Sequence, residues 1–279
     1  MSAIIPKLRE DFHKQAFSDL VRVSKGTYNF ADTSSRISKE YANGIVNLLG
    51  YKVRSGKKSG QTAGKDFEGL VLNFIRQVFT TLPHLRPGKW GFGSGASIAE
   101  FEQYAHLIDL HTATKDNATL AAILGGDYLI KPDIVVYREP EPDEFINNPK
   151  AVVDSKLAKL TSIRKSNEGK NILHASISCK WTIRSDRSQN SRTEALNLIR
   201  NRKGNLPHIM VVTAEPLPSR LASIALGTGD VDCVYHFALH ELQQVVNASS
   251  HEDSIEMLNT MIEGKRLRDI SDLPLDLAV

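Results

Sequence analysis

Asp133, Lys180 and Glu194 are the residues whose types and positions could do chemistry together. Asp133 follows Pro132 at the mouth of an apolar run, Lys180 ends the run SISCK 47 residues later, and Glu194 opens a helical pattern 14 residues further on. If adjacent strands bring the three together, they offer carboxylate oxygens to a hard cation such as Mg²⁺ and a cationic nitrogen to a water or a strained phosphate. That set suits hydrolysis of a phosphodiester. Asp133 would bridge the metals, Glu194 would complete the metal shell, and Lys180 would position the attacking water or help to deprotonate it. Glu68 is a fourth candidate, expected in the first turn of a long helix, where the helix dipole alone also favours a carboxylate. Pro-Asp pairs, strand-end lysines and glutamates at helix starts are routine structural features too, so spacing alone leaves both readings open.

The residues just past Lys180 bear on that choice. Arg184, Asp186 and Arg187 form R-S-D-R directly beyond the strand. Arginine can bond bidentately to guanine O6 and N7, and aspartate can accept from the cytosine amino group, so the cluster suits reading G·C pairs in a major groove. The structural alternative is an exposed loop whose opposite charges pair with one another. Cys179 is expected on the other side of the strand from Ser178 and Lys180, with its side chain in the core and its backbone carbonyl free to face a metal. His174, His208 and His236 occur singly, without the spacing of a zinc site, and read as structural or rim residues. Trp90 and Trp181 read as packing groups.

These residues must be positioned by an α/β scaffold. Apolar residues at helical spacing predict helices over 7–23 and 35–49, and a clearer one from Asp66 until Pro83 stops it. RPGKWGFGSGASIAE has no apolar run leading into it and departs from the GxGxxG spacing, which predicts a loop. Helical periodicity returns over 98–111 and briefly at 120–124. DYLIKPDIVVYR predicts strand, turn and strand, and NILHASISCKWTI a core strand. SRTEALNLIRNRKG predicts a helix closed by Gly204. LPHIMVVTAE and DVDCVYHFAL predict further strands, with a helix at PLPSRLASIALG between them and two helices, over 240–248 and 253–263, after them. The alternation gives a mixed central β-sheet flanked by helices, with a helical N-terminal elaboration. A single domain over 1–279 is expected, 1–125 being the mainly helical part and 126–279 the core.

The charge is informative only when divided. The chain of 279 residues carries a net +3, but residues 161–204 hold 10 basic against 3 acidic side chains, and residues 205–279 hold 4 against 11. YKVRSGKKSGQTAGK, residues 51–65, adds five Lys/Arg and no acid, in a composition that predicts a mobile loop. Both basic stretches fit a polyanion, and both also fit ordinary solvated surface. Two cysteines, Cys179 and Cys233, suit a reducing compartment and exclude a disulfide framework. The opening MSAIIPKLREDFHKQ lacks the apolar segment of a signal peptide, and no apolar run approaches the ~20 residues of a membrane span. A cytoplasmic protein without membrane contact is expected.

The run LHASISCKWTIRSDRSQNSRTEALNLIRNRKGNLPHIMVVTAEPLPSRLASIALGTGDVDCVYHFAL, together with GQTAGKDFE, DYLIKPDIVV and the C-terminal GKRLRDISDLPLDLAV, resembles the NgoMIV-type restriction endonucleases. The match is dense over 173–239 and at the C-terminus, and thin in the first 50 residues and over 138–171. The resemblance implies a type II enzyme of the PD-(D/E)xK superfamily, with a restriction endonuclease-like core whose second acidic residue has moved to the helix after the strand. Asp133, Ser178, Cys179, Lys180 and Glu194 match the P-D, S-C-K and R-[ST]-E elements of that family, and Glu68 matches the glutamate of its F-E pair. It further implies Mg²⁺, two ions per site, bound by Asp133 and the Cys179 carbonyl, with Glu68 and Glu194 acting largely through water. Arg184, Asp186 and Arg187 would read an inner CCGG, Arg220 and Asp32 the outer G·C pairs, and Gln61 the minor groove. Members similar to this chain cut GCCGGC after the first G, leave 5′ CCGG overhangs with 5′-phosphate and 3′-hydroxyl ends, and act as homotetramers, dimers of dimers, on two sites. Two other functions stay compatible with the residues alone, a DNA-binding regulator without chemistry and a structure-specific repair nuclease on the same metal core.

Overall fold

The computed structural model describes residues 3–279 apart from 116, 120, 121, 123–127, 184 and 228, with only the backbone described at 185–188. A six-stranded sheet sits at its centre, in the order β4 (Trp90–Ser94), β5 (Ile134–Arg138), β6 (Ile172–Lys180), β7 (His208–Thr213), β8 (Cys233–His236) and β9 (Leu267–Asp269). The first two pairings are antiparallel and the remaining three parallel. β7 and β8 are buried almost throughout, as parallel strands covered on both faces must be, which is why their sequences read as continuous apolar runs.

Helices α1 (Ile4–Asp19), α2 (Arg36–Leu49) and α3 (Gly60–Phe79) precede the sheet, and α3 lies against α1 and β6. Between them a small sheet, β1 (Arg22–Ser24), β2 (Thr27–Tyr28) and β3 (Arg54–Ser55), turns through Lys25-Gly26. Both turn residues have positive φ, 50° and 71°, as a two-residue type I′ hairpin requires. α4 (His106–Lys115) and a single turn, α5 (Asp143–Ile146), flank β5 in sequence. α6 (Ser185–Asn201) joins β6 to β7, and α7 (Pro218–Ala225) joins β7 to β8. α8 (Leu239–Asn247) and α9 (Glu252–Glu263) then lead to β9 and a closing turn, α10 (Leu273–Asp276).

The apolar core is one contiguous cluster from Phe12 to Leu277. Trp181, directly after Lys180, is buried against Phe30, Phe67 and Phe237 with ring centroids 5.7, 5.1 and 5.9 Å away. The end of β6 is thereby pinned. At the other end of the chain, Arg9 on α1 donates to Asp269 at 2.8 Å and to Glu241 at 2.7 Å, tying the first helix to the last strand. Among the described residues no helix is long and apolar enough to cross a membrane.

Several expectations need correction. α3 starts at Gly60, not near Asp66, because the Ser59 hydroxyl caps it by accepting from Thr62 N at 3.1 Å; Gly60 and Gly64 had hidden the start. The second half of the expected mobile loop 51–65 is therefore helix, and Glu68 stands two turns inside α3, so the helix dipole does not account for it. Glu194 is likewise mid-helix in α6 and does not open it. Trp90–Ser94, expected as a loop, is the antiparallel edge strand β4. Its glycines weaken the strand signal, yet Gly91 is required where it stands, since a Cβ there would collide with the Tyr137 ring. This strand belongs to the central sheet although it falls in the part expected to be mainly helical. Of DYLIKPDIVVYR only the second half is a strand, the helical pattern over 98–111 breaks into two 3₁₀ turns before α4, and β9 was not foreseen. The short pattern at 120–124 falls mostly outside the described residues.

Candidate active site

The site lies where β6 outruns β5. Antiparallel pairing between them ends at Ile134 with Ile177, while β6 continues to Lys180 alongside β7. Asp133, one residue before β5, fills the missing rung with its side chain. Its Oδ2 accepts from the Cys179 backbone N at 2.7 Å and from Lys180 Nζ at 3.0 Å. In an extended strand the N–H and C=O of one residue point to the same edge. The Cys179 carbonyl therefore faces the edge on which Asp133 stands. The Cys179 thiol is buried in the core, and burial pushes it well above its ordinary pKa.

Ser178 and Lys180, two residues apart, share a face of the sheet. Ser178 Oγ donates to Glu194 Oε2 at 3.3 Å. Burial pushes the Glu194 carboxyl above its usual value; Lys180 draws it down and Asp133 pushes it up. Glu68 reaches the same region from α3. Burial raises it first and the charge of Asp133 second, while a hydrogen bond from Ser94, at the end of β4, and the charges of Lys65 and Lys180 lower it. Glu68 and Glu194 thus each stand in the field of Asp133, and Lys180 acts on both.

The donor set fits a magnesium-like ion. The carboxylates of Asp133, Glu68 and Glu194 and a strand-edge carbonyl are hard oxygen donors, and the repulsion that Asp133 exerts on the other two is what a divalent cation relieves. Among the described residues no three His, Cys, Asp or Glu side chains close a complete cage. Mg²⁺ does not need one, since it keeps several waters and shares substrate phosphates with one or two carboxylates.

A cavity of about 220 Å³ opens beside this set, lined by Gly60, Gln61, Gly64, Lys180, Asn190 and Glu194. Gln61 thus stands on its wall, in the first turn of α3. A larger cleft of about 910 Å³ shares Gly60 and Trp181 with it and is lined by Arg22, Lys25, Lys57, Lys58, Asp32 and Arg220. Basic residues from β1, from its turn and from the segment before α3 therefore converge beside the carboxylates. In that cleft Arg220, in the first turn of α7, pairs with Asp32. Asp32 is held in turn by the Ser34 hydroxyl at 2.7 Å and backbone N at 2.9 Å, and these bonds, with Arg220, keep its carboxyl below the usual range.

The family model of the NgoMIV restriction enzyme matches residues 12–279. The chain is 49% identical over 286 residues to the type II restriction enzyme NgoMIV of Neisseria gonorrhoeae, covering all of both chains. This chain belongs to the NgoMIV restriction enzyme family. Two solved structures are also similar to this family member, each at 14% identity and a TM-score of 0.35. The type IIF restriction endonuclease Bse634I with cognate DNA matches over 91% of this chain and 92% of its own, and Bse634I restriction endonuclease over 82% and 83%.

The structure of this NgoMIV-family chain brings together Asp133, Ser178, Cys179, Lys180 and Glu194, sets Glu68 in their field, and pairs Arg220 with Asp32. Arg184 and the side chains of Asp186 and Arg187 lie outside the described residues. Two participants were missed from the sequence. Ser94 was hidden in a glycine-rich stretch read as a loop, and Glu215, the buried carboxylate next to Arg220, has no periodic or motif signal. His174 and His208 do not stand singly, since adjacent strands put their rings 4.9 Å apart, at the far end of the sheet from Lys180.

Proposed function

We propose that this family member is a Mg²⁺-dependent type II restriction endonuclease that cuts double-stranded DNA at GCCGGC after the first G, leaving 5′ CCGG overhangs. The observation that carries the reading is the hydrogen-bonded set of Asp133, the Cys179 backbone and Lys180 at the open end of β6, with Glu194 across the strand and a basic cleft alongside.

Asp133 and the Cys179 carbonyl would hold Mg²⁺ directly, with Glu68 and Glu194 holding it largely through water, two ions per site. When bound, Mg²⁺ supplies Lewis-acid stabilisation of the charge that develops on the phosphate. The protein does the rest. Lys180 orients a water in line with the scissile P–O3′ bond, and its cation offsets charge on the phosphate oxygens. The water oxygen bonds to phosphorus as the bond to O3′ breaks, the water releases a proton to solvent and O3′ takes one up, giving a 5′-phosphate and a 3′-hydroxyl. Ser178 fixes Glu194, and Ser94 fixes Glu68, so that both carboxylates are in place before DNA arrives.

Arg184, Asp186 and Arg187 are assigned to the inner CCGG, Arg220 and Asp32 to the outer G·C pair, and Gln61 to the minor groove. Each good bidentate contact discriminates by about 1–3 kcal/mol. Arg22, Lys25, Lys57 and Lys58 would track phosphates, which adds affinity without sequence. A palindrome is met by a two-fold dimer with one half-site per subunit. We assign a homotetramer, a dimer of dimers holding two sites, with each chain folded as one domain over 1–279. Digestion of a plasmid with two GCCGGC sites in Mg²⁺ should give discrete fragments. DNA left intact across divalent metals would overturn the proposal, and sedimentation as a dimer at working concentration would overturn the tetramer.

A further inference from the structure

Arg220 has a second carboxylate beside it. Glu215 lies between β7 and α7, fully buried, with its Oε2 at 3.6 Å from an Arg220 guanidinium nitrogen. The same oxygen accepts from Ile183 N at 2.9 Å, and Oε1 accepts from Leu217 N at 3.3 Å. Leu217 is the N-cap of α7, the helix that carries Arg220, and Ile183 is the residue immediately before R-S-D-R. One buried side chain therefore joins the exit of β6, the start of α7 and the guanidinium that pairs with Asp32. Burying a carboxylate is costly unless it is paired and hydrogen-bonded, and burial here pushes Glu215 up to about 7 despite the backbone N–H groups and Arg220 drawing it down. An apolar residue would fill the space without that cost.

We propose that Glu215 is a positioning residue for specificity, holding Arg220 and, through it, Asp32 in the geometry that reads the outer G·C pair. This rests on the assignment of Arg220 to that pair. Asp32 grips the guanidinium from the α2 side and Glu215 from the sheet side, so Arg220 is fixed from two directions before it meets a base. Preorganisation of this kind turns a flexible arginine into a directional reader.

The test compares single-turnover cleavage by the full chain in Mg²⁺ on three duplexes, GCCGGC, ACCGGT with the outer pair changed, and GTCGAC with inner pairs changed. Glu215→Gln keeps an oxygen for the Ile183 N–H, removes the charge facing Arg220 and leaves the Leu217 N–H without its acceptor. Its preference for GCCGGC over ACCGGT should fall about tenfold, while its preference over GTCGAC stays within about a factor of two. The double variant Glu215→Gln/Arg220→Ala should discriminate at the outer pair no worse than Arg220→Ala, because the two act through one contact. Glu215→Ala should lose outer discrimination further, and Glu215→Gln decides the matter if the alanine variant does not fold. An unchanged outer preference in Glu215→Gln, or an equal fall at outer and inner pairs, overturns the proposal. If Arg220→Ala itself leaves the outer preference intact, the assignment of Arg220 fails first and the role of Glu215 falls with it.

Discussion

Asp133→Asn separates what the Asp133 carboxylate does for the fold from what it does for the reaction. In the wild type one oxygen of Asp133 accepts both the Cys179 N–H at 2.7 Å and Lys180 Nζ at 3.0 Å. The asparagine carbonyl can keep the bond to Cys179, so only the ion pair with Lys180 is lost. Both partners are partly exposed, with 31% and 18% of their side chains accessible, so that loss should cost about 0–1 kcal/mol. For a chain of this size the melting temperature should fall by less than about 4 °C. Asp133→Ala leaves the Cys179 N–H without its acceptor and should cost about 1–3 kcal/mol more. Activity should behave differently. If Asp133 holds the metal as proposed, its loss removes several kcal/mol of transition-state stabilisation, so cleavage by Asp133→Asn should fall by about a thousandfold or more. Removing a negative charge from a site that receives a phosphate should leave metal-free binding of GCCGGC unchanged or tighter. Scanning fluorimetry, gel shifts and single-turnover cleavage of a labelled duplex measure the three quantities. Cleavage within about tenfold of the wild type, or binding lost in step with melting, would refute the reasoning.

Lys180→Met should lower single-turnover cleavage by about 10²–10⁴-fold while Ca²⁺-supported binding of GCCGGC persists; because Lys180 draws Glu194 down, the pH midpoint of that binding should move up, and a midpoint that stays put would count against the electrostatic coupling. Lys25→Ala/Lys57→Ala, both exposed in the basic cleft, should weaken GCCGGC and random DNA alike and reduce the slope of log K against log salt by about 2, whereas selective loss of GCCGGC would give these lysines a reading role. His174 and His236 are held down to about 4 by burial, so below 6.5 the unfolded chain takes up protons that the native imidazoles refuse. Each should remove up to about 3 kcal/mol of stability as pH falls from 6.5 to 4. Urea midpoints of His236→Gln against the wild type across that window test it, and parallel pH profiles would show that His236 has no part.

The strands that carry the site were legible because IVVYR and ILHASISCK are rich in β-branched and apolar residues, as core strands are, and because Asp133 and Lys180 stand at strand ends. Asp133 and Lys180, which the structure brings together, could therefore be found from spacing, whereas R-S-D-R falls largely outside the described residues. Glu68 and Glu194 were identified for reasons that the structure changes, since both stand inside helices whose starts glycines and polar residues had disguised. Asp32, Gln61 and Arg220 had no local signal and came only through family resemblance. Ser94 and Glu215 escaped altogether, because their roles depend on long-range contacts, Glu68 with Ser94 and Glu215 with Ile183 and Arg220, that no local period encodes. The basic stretch 51–65 was visible as charge, but its convergence with Arg22 and Lys25 on one cleft depends on the β1–β3 pairing.

The most direct test of the central claim is to sequence the fragment ends that the wild type and Asp133→Asn produce from plasmid DNA in Mg²⁺. The wild type should yield ends at one position per strand, after the first G of GCCGGC, each with a 5′ CCGG extension, and Asp133→Asn should yield almost none under the same conditions. Ends scattered over unrelated sequences, or the same ends at the same rate from both proteins, would contradict it.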